Sequence, residues 1–184
     1  PLFGKRVLVT RTRTQASVFT AMLAREGAYP IEVPTIEVQP VADTGKLDEA
    51  VASLSENDWV IFTSTNAVDA VFDRLDALGR DSRSFGGTHV AVIGTATAAS
   101  LRSRGIVADA VASQPISESL LDTLPVRSGD HVLLPGAAVR RDALLLGLEA
   151  AGAVVHHVTA YTTVAPKDVR NRIEQALQDG VDIV

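Results

Sequence analysis

The chain alternates between short continuous apolar runs and stretches in which apolar residues recur at helical spacing. Trp59–Phe62 is the clearest run, and an unbroken apolar run of this length is typical of a strand covered on both faces in a parallel sheet. Immediately afterwards apolar residues recur at helical spacing, at Val68, Val71, Phe72 and Leu75. This stretch therefore predicts a buried strand, a turn and a helix.

The same succession of strand, turn and helix continues along the chain. Further extended segments are predicted at residues 5–10, 89–94, 106–112, 131–135 and 154–164. Helices are predicted before Gly27, over residues 47–54, before Gly105, over residues 117–121 and over residues 138–151. Strands that alternate with helices in this way form a parallel sheet with crossover helices. The sequence therefore predicts the α/β fold class.

An internal repeat suggests that the chain contains two similar halves. Two dipeptides recur at an offset of 125 positions: Val7-Leu8 as Val132-Leu133 and Gly27-Ala28 as Gly152-Ala153. At an offset of 123 positions, Val60-Ile61 pairs with the similar Ile183-Val184. The alternative explanation is that any two strand–helix–glycine units look alike. If the repeat reflects duplication, the second copy stops where the first has Ile61, and roughly 60 further residues would complete it.

Composition and charge exclude several classes of function. The 184 residues are 46% hydrophobic and 21% charged, which predicts a globular chain with one sizeable core or two small ones. The net charge of −5 leaves no basic surface for nucleic acid. The absence of cysteine excludes disulfides and thiol catalysis. No apolar run reaches membrane-spanning length and no signal peptide is evident, so we expect a soluble protein of the cytoplasm.

Hydroxyl side chains and free backbone amides cluster where predicted strands end and helices begin. The carboxyl ends of parallel strands are where open α/β sheets bind ligands, and each helix N-terminus offers unpaired amides and about half a positive charge. The turns at residues 10–14, 63–66, 94–97 and 136–139 all have this placement. The candidate anion-binding residues are therefore Thr10, Arg11, Thr63, Ser64, Thr65, Asn66, Gly94, Thr95, Thr97, Gly136 and Arg140.

Each candidate also has a purely structural explanation. Serine and threonine are common N-caps, Gly94 and Gly136 suit tight turns, and the arginines fit a solvated helix face. For Arg11 and Arg140 the two explanations are evenly balanced. The turn at residues 94–97 completes no nucleotide-binding fingerprint, so no nucleotide cofactor is indicated. His156 and His157 point to opposite faces of a predicted strand, and we predict no metal site.

Five motifs carry a resemblance to a known family. They are Val7-Leu8-Val9-Thr10-Arg11, Gly27-Ala28 leading to Pro34, Ile61-Phe62-Thr63-Ser64, Val92-Ile93-Gly94 with Thr97-Ala98, and Gly152-Ala153-Val154 leading to Tyr161. In this order and spacing the chain resembles the uroporphyrinogen-III synthase family along its whole length.

The resemblance implies two similar flavodoxin-like, parallel-sheet domains joined by a two-stranded ribbon. Residues 1–36 with 165–184 would form one domain, incomplete in this chain, and residues 37–164 the other. The ribbon would lie near residues 31–38 and 156–164. The residues support this placement: Pro30, Pro34 and Pro40 exclude a central strand but allow an edge ribbon, and residues 156–164 are extended.

The resemblance also implies an activity. A member of the family would be a cofactor-free lyase of tetrapyrrole biosynthesis, which closes the linear polycarboxylate hydroxymethylbilane with inversion of its last ring. Tyr161 would face the cleft between the domains and protonate the departing hydroxyl. The start of the chain, residues 1–6, resembles the junction of fusions with a uroporphyrinogen methyltransferase, so a fused or interacting methyltransferase, or the preceding pathway enzyme, is the expected partner. The alternative from a different class is a non-catalytic two-domain module that senses an anionic small molecule.

Overall fold

The computed structural model describes residues 2–112, 121, 124–138 and 143–184, and over this part the chain is a mixed α/β protein with a mostly parallel sheet. It divides into two compact units. The first unit is Pro1–Gln39 with Thr163–Val184, and the second is Pro40–Thr162. The sequence places these boundaries after residue 36 and after residue 164. Among the described residues, no helix combines the length and the apolar character needed to cross a membrane.

The first unit is built around strand β1 (Arg6–Val9), which pairs in parallel with β2 (Tyr29–Glu32). Alternating β1 residues point to opposite faces. Val7 and Val9 pack with residues of helix α1 (Arg13–Arg25), whereas Leu8 packs with Ala176 on helix α6 (Val169–Gln178). Gly27, at φ +83°, follows the end of α1, as its sequence position predicts.

Asp182 ties the end of the described chain to β1. Its carboxylate accepts hydrogen bonds from the Arg6 amide at 2.7 Å and from Lys5 Nζ at 3.2 Å. These bonds hold the pKa of Asp182 below its usual value, and the bond from the Arg6 amide has the largest effect. They lie beside the bridge between Val7 and Ile183, in which the Leu8 amide donates to the Ile183 carbonyl at 2.8 Å.

We expect Asp182→Asn to speed hydrogen exchange at the Leu8 amide, because that bond depends on the position of the Ile183 carbonyl. The pKa of Asp182 is lowered in the folded state, so its carboxylate stabilises the fold fully above the usual carboxyl pKa. This stabilisation is lost as the pH falls through the folded-state pKa of Asp182. Exchange measured by NMR at neutral pH checks the prediction. Glu174→Gln, on the exposed surface of α6, is the control and should leave Leu8 unchanged.

Within the residues that the structure describes, the second unit contains most of a six-stranded sheet with the strand order β3-β8-β7-β4-β5-β6. The strands of this sheet are β3 (Glu37–Pro40), β4 (Trp59–Phe62), β5 (His89–Ile93), β6 (Ala110–Ala112), β7 (His131–Ala137) and β8 (Val154–Val164). The helices of the second unit are α2 (Gly45–Ala52), α3 (Thr65–Ala77), α4 (Thr95–Ser103) and α5 (Ala143–Ala150). β4 pairs in parallel with β5 and β7, β5 with β6, and β7 with β8.

Strand β4 lies inside this sheet and is covered on both faces. Val60 and Phe62 face a core that includes residues of α2, α3 and α4, whereas Trp59 and Ile61 face a second core that includes residues of α5. All four residues are exposed by 5% or less. The prediction of a doubly buried strand at this position is therefore confirmed.

Helix α3 follows β4 and is held to α2 by an ion pair. The Arg74 guanidinium donates to both carboxylate oxygens of Asp48, at 2.6 and 3.0 Å. This pairing lowers the pKa of Asp48 and raises that of Arg74. Together with the buried apolar face of α3, it fixes the helix whose first turn forms part of the site described below.

Three strand predictions need correction or comment. β7 continues to Ala137, beyond the predicted end at residue 135, because its pairing with β4 stops at Leu133 and Pro135 therefore removes no hydrogen bond from that ladder. β6 covers only Ala110–Ala112, since Ile106 and Ala108 pack against the core without pairing. β3 occupies a sheet edge, as its proline predicts. The helix predicted at residues 117–121 lies outside the described residues except for Leu121.

Candidate functional site

Ser64 caps the helix that follows the central strand. Its Oγ accepts a hydrogen bond from the Ala67 amide at 3.2 Å, which satisfies one of the amides left unpaired at the start of α3. Thr65 and Asn66 begin the helix and are half-buried, whereas Thr63 is exposed. Of the four polar residues that the sequence offers at this turn, Ser64 is therefore the cap.

The Ser64 side chain also contacts Tyr161. Its Oγ lies 3.1 Å from the Tyr161 Oη, at hydrogen-bond distance, and both side chains are half-buried. Tyr161 belongs to β8, which is separated from β4 by β7 in the strand order. The sheet thus joins two predicted site residues that lie 97 positions apart in the sequence.

A register shift in β8 turns Tyr161 toward Ser64. Gly136 lies opposite Thr159, but the next residue, Ala137, lies opposite Tyr161, so Ala160 is an extra residue in β8. Ala160 faces the core that includes α3, and Tyr161 packs against the same core. In a regular strand these neighbours would point to opposite faces. The extra residue is therefore what brings both to one face, as bulges near functional sites often do.

The backbone of Tyr161 is fixed at the same point. The Ala138 amide donates a hydrogen bond to the Tyr161 carbonyl at 3.1 Å. Gly136 lies within β7 and is buried, so it does not form the turn that the sequence predicts there. Its side of the strand faces His157, whose Nε2 would lie 3.5 Å from a Cβ placed on Gly136.

Gly94 begins the second helix of the site. Its backbone has φ +85° and ψ 149°, a conformation that is essentially restricted to glycine, and the Ala98 amide donates to its carbonyl at 3.2 Å. Because Gly94 has no side chain to cap the helix, the amides of the first turn of α4 keep their hydrogen-bonding capacity. Thr95 is exposed, whereas Thr97 is only 4% exposed and so presents its hydroxyl poorly to a ligand.

We expect Gly94→Ala to destabilise the second unit by about 1–3 kcal/mol, the usual cost of forcing such a backbone conformation on a residue with a Cβ. No atom lies within 4 Å of the position a Cβ would take, so the effect should come from the backbone alone. Urea unfolding followed by the fluorescence of Trp59 measures it, because Trp59 is the single tryptophan and lies in β4. Thr95→Ala, on the exposed first residue of α4, is the control and should change stability by less than about 0.5 kcal/mol.

Two site candidates belong to the first unit. The Thr10 carbonyl accepts hydrogen bonds from the amide and the hydroxyl of Thr35, both at 3.1 Å. Arg11 is exposed, and its guanidinium lies 5.3 Å from the centre of the Phe19 ring. Arg140, the remaining candidate, lies outside the described residues.

The second unit therefore supplies a group of donors at the carboxyl ends of adjacent strands. β4 and β5 are parallel neighbours, so the first turns of α3 and α4 begin at the same edge of the sheet. These turns offer backbone amides and the hydroxyls of Thr63 and Thr95, and Tyr161 on β8 adds its phenol beside Ser64. Within the described chain no cluster of three or more histidine, aspartate or glutamate side chains could hold a metal ion. This set of groups can bind an anion and donate a proton.

Comparison with known proteins places the chain in a family. The family model described as "Uroporphyrinogen-III synthase HemD" matches residues 17–184. A uroporphyrinogen-III synthase of Synechococcus elongatus is 38% identical over 171 residues, which cover 92% of this chain and 64% of that protein. The porphyrin biosynthesis protein HemD of Ruminiclostridium josui is 29% identical over 182 residues, covering 98% of this chain and 36% of that protein.

A solved structure has a similar fold. It is that of a mutant uroporphyrinogen III synthase from Thermus thermophilus, with a TM-score of 0.73, 24% sequence identity, and coverage of 98% of this chain and 71% of that one. The chain thus spans less than two thirds of the length of the two sequence relatives described above. Because the family model matches nearly the whole chain, the chain belongs to the uroporphyrinogen-III synthase family.

Proposed function

We propose that the protein is a uroporphyrinogen-III synthase, a cofactor-free lyase that closes hydroxymethylbilane with inversion of its last pyrrole ring. The observation that carries the proposal is the contact between Ser64 and Tyr161 at 3.1 Å, beside the N-terminus of α3. It places a phenol, which can donate a proton, next to amides that can hold carboxylates.

Tyr161 is the proposed general acid. The Tyr161 Oη gives its proton to the hydroxymethyl oxygen. The C–O bond then breaks, water departs, and a cationic azafulvene remains. The azafulvene attacks the last ring, and the new bond gives a spiro intermediate. This intermediate reopens, and the closure that follows inverts the last ring. The final return to an aromatic pyrrole releases one proton, which restores the phenol. General acid catalysis by a positioned side chain contributes typically about 10²–10⁴-fold to a rate.

Local donors, rather than the overall charge, would hold the substrate. The protein has a net charge of −5, and the substrate is a polycarboxylate, so the long-range field opposes binding. The first turns of α3 and α4 supply unpaired amides and the positive ends of two helix dipoles. Thr63 and Thr95 are exposed at the same turns and can add hydroxyl donors.

We expect Thr63→Val to weaken binding of the tetrapyrrole by about 1 kcal/mol, the usual net value of one hydrogen bond, because the exposed hydroxyl is lost while the shape is kept. Thr97→Val is the matched variant in the first turn of α4, the helix that follows β5. Thr97 is 4% exposed, so its replacement should alter the unfolding free energy more than the affinity. Titration calorimetry with the product and urea unfolding separate the two effects. If Thr63→Val instead lowers the unfolding free energy and Thr97→Val instead lowers the affinity, Thr63 is a structural residue and Thr97 is a ligand.

We further propose that the two units correspond to two flavodoxin-like domains and that the adjacent strands β3 and β8 include the connecting ribbon. The parallel pairing within each unit and the position of β3 beside β8 support this. A cytoplasmic location, and a partner that is a fused or interacting methyltransferase or the preceding pathway enzyme, are part of the same proposal, because the family resemblance implies them.

The test of the activity is the isomer ratio formed from hydroxymethylbilane by the full-length protein. Hydroxymethylbilane closes spontaneously to the symmetric isomer, so a synthase must both outpace this reaction and give the inverted isomer. We expect the inverted isomer to dominate with the protein present and the symmetric isomer to dominate without it. Binding of the tetrapyrrole without any change in the isomer ratio would favour a non-catalytic module that senses an anionic small molecule.

A further inference from the structure

The hydroxyl of Ser64 is engaged within the protein. It has one hydrogen and two lone pairs, and one lone pair accepts the Ala67 amide at 3.2 Å. Its other hydrogen-bond neighbour is the Tyr161 Oη, at 3.1 Å. Ser64 thus differs from Thr63, the preceding residue, which is exposed. The capping contact and the phenol contact both favour a role toward Tyr161 over direct contact with a substrate carboxylate.

We propose that Ser64 is a positioning residue for Tyr161, an inference that rests on the function proposed above. Ser64 donates its hydroxyl hydrogen to the Tyr161 Oη. The phenolic hydrogen of Tyr161 is then directed away from Ser64 and is available for the departing hydroxyl. With the opposite orientation the phenolic hydrogen would be bound to Ser64 Oγ and could not reach the substrate.

The same hydrogen bond helps Tyr161 after it has given up its proton. The phenolate oxygen then carries a negative charge, which the Ser64 hydroxyl stabilises more strongly than it stabilises the neutral phenol. Because Ser64 accepts the Ala67 amide at the positive end of α3, its own O–H is polarised toward Tyr161. Ser64 therefore extends part of the positive potential at the N-terminus of α3 to the Tyr161 Oη.

Both partners are held in place before substrate binds. The cap fixes Ser64 on one side, and on the other the extra residue Ala160 and the bond from the Ala138 amide fix Tyr161. Such preorganisation is the condition under which a hydrogen bond contributes most to a transition state. The bulge and the cap thus both act on the contact between Ser64 and Tyr161.

A double-mutant cycle in the full-length protein tests the inference. We expect Ser64→Ala to lower kcat about tenfold while KM for hydroxymethylbilane stays within about twofold, since only transition-state stabilisation is lost. Ser64→Thr keeps the hydroxyl and should restore most of the turnover. In a Tyr161→Phe background Ser64→Ala should change kcat by less than about twofold, because the phenol on which it acts is absent.

Ser64→Gly separates positioning from helix capping. Glycine is nearly as good an N-cap as serine, whereas alanine is a poor one. We expect the glycine variant to lose as much turnover as the alanine variant, although its melting temperature should lie closer to that of the wild type. Recovery of kcat in Ser64→Gly would show that capping is the role of Ser64 and would overturn the inference.

Two further results would contradict the inference in different ways. A rise in KM at constant kcat for Ser64→Ala would make Ser64 a direct substrate ligand. Equal effects of Ser64→Ala with and without the Tyr161 hydroxyl would show that the two residues act independently. In both cases Tyr161 could still be the acid, and the proposed function would stand. Full turnover of Tyr161→Phe alone would instead remove the acid role itself, and the inference would fall with it.

Discussion

Replacing Tyr161 by phenylalanine is expected to lower kcat for hydroxymethylbilane by ~10²-fold or more, with little change in product affinity. The substitution removes one oxygen and its proton but keeps the ring that packs against the core of the second unit. Turnover must be measured as formation of the inverted isomer, because spontaneous closure of the substrate continues without the enzyme.

The chain offers a matched control for this change. It contains two tyrosines, and the other, Tyr29, lies in β2 of the first unit with 66% of its surface exposed. Tyr29→Phe removes the same atoms from an exposed position and should leave kcat within about twofold, as expected of a surface substitution away from the site. If both variants keep full turnover, Tyr161 is a packing residue and another group must protonate the leaving hydroxyl.

The elements that the sequence predicts well are those in which local pattern and burial agree. Trp59–Phe62 is an unbroken apolar run, which is typical of a strand covered on both faces, and all four residues are buried. Val154–Val164 is rich in β-branched residues and forms a strand with the predicted limits. A helix cap within residues 63–66 follows from their position between the strand and the helical repeat, and in the structure the cap is Ser64.

The contact that defines the site depends on information that spacing does not contain. The extra residue Ala160 changes which face Tyr161 occupies, and a single inserted residue leaves no mark in the apolar pattern of β8. The strand order that brings β8 beside β7, and so near β4, is likewise set by tertiary packing. Tyr161 could therefore be proposed by resemblance to a family and Ser64 from the turn that follows β4, but the contact between the two could be identified only from the fold.

The pair formed by Pro135 and Gly136 shows the opposite error. The sequence predicts a strand that ends at Pro135 and a turn that begins at Gly136, because glycine permits tight-turn geometry. β7 nevertheless continues through both, since its ladder with β4 has already ended at Leu133. The prediction from local preference therefore placed the end of β7 too early, because local preference contains no information on where the pairing with β4 stops.

Replacing Leu75 by alanine is expected to destabilise the second unit by about 2–5 kcal/mol, since a buried leucine leaves a cavity that the surrounding core fills only partly. Leu75 is 0% exposed and packs in the core that also contains Phe62 and Val68. Leu78, which follows α3, is 41% exposed and provides the same substitution at the same end of the helix. Leu78→Ala should cost less than about 1 kcal/mol.

Urea unfolding followed by Trp59 fluorescence isolates this effect, because the single tryptophan lies in β4 of the second unit and is only 5% exposed. Leu75 lies 11 positions after Ser64, about 16 Å along a helix at the usual rise per residue. The cavity should therefore leave the contact between Ser64 and Tyr161 intact, and kcat at low temperature should stay within about twofold of the wild type. Equal destabilisation by Leu75→Ala and Leu78→Ala would contradict the core position of α3. A loss of kcat in the folded Leu75 variant would show that the site depends on packing at the far end of the helix as well as on its cap.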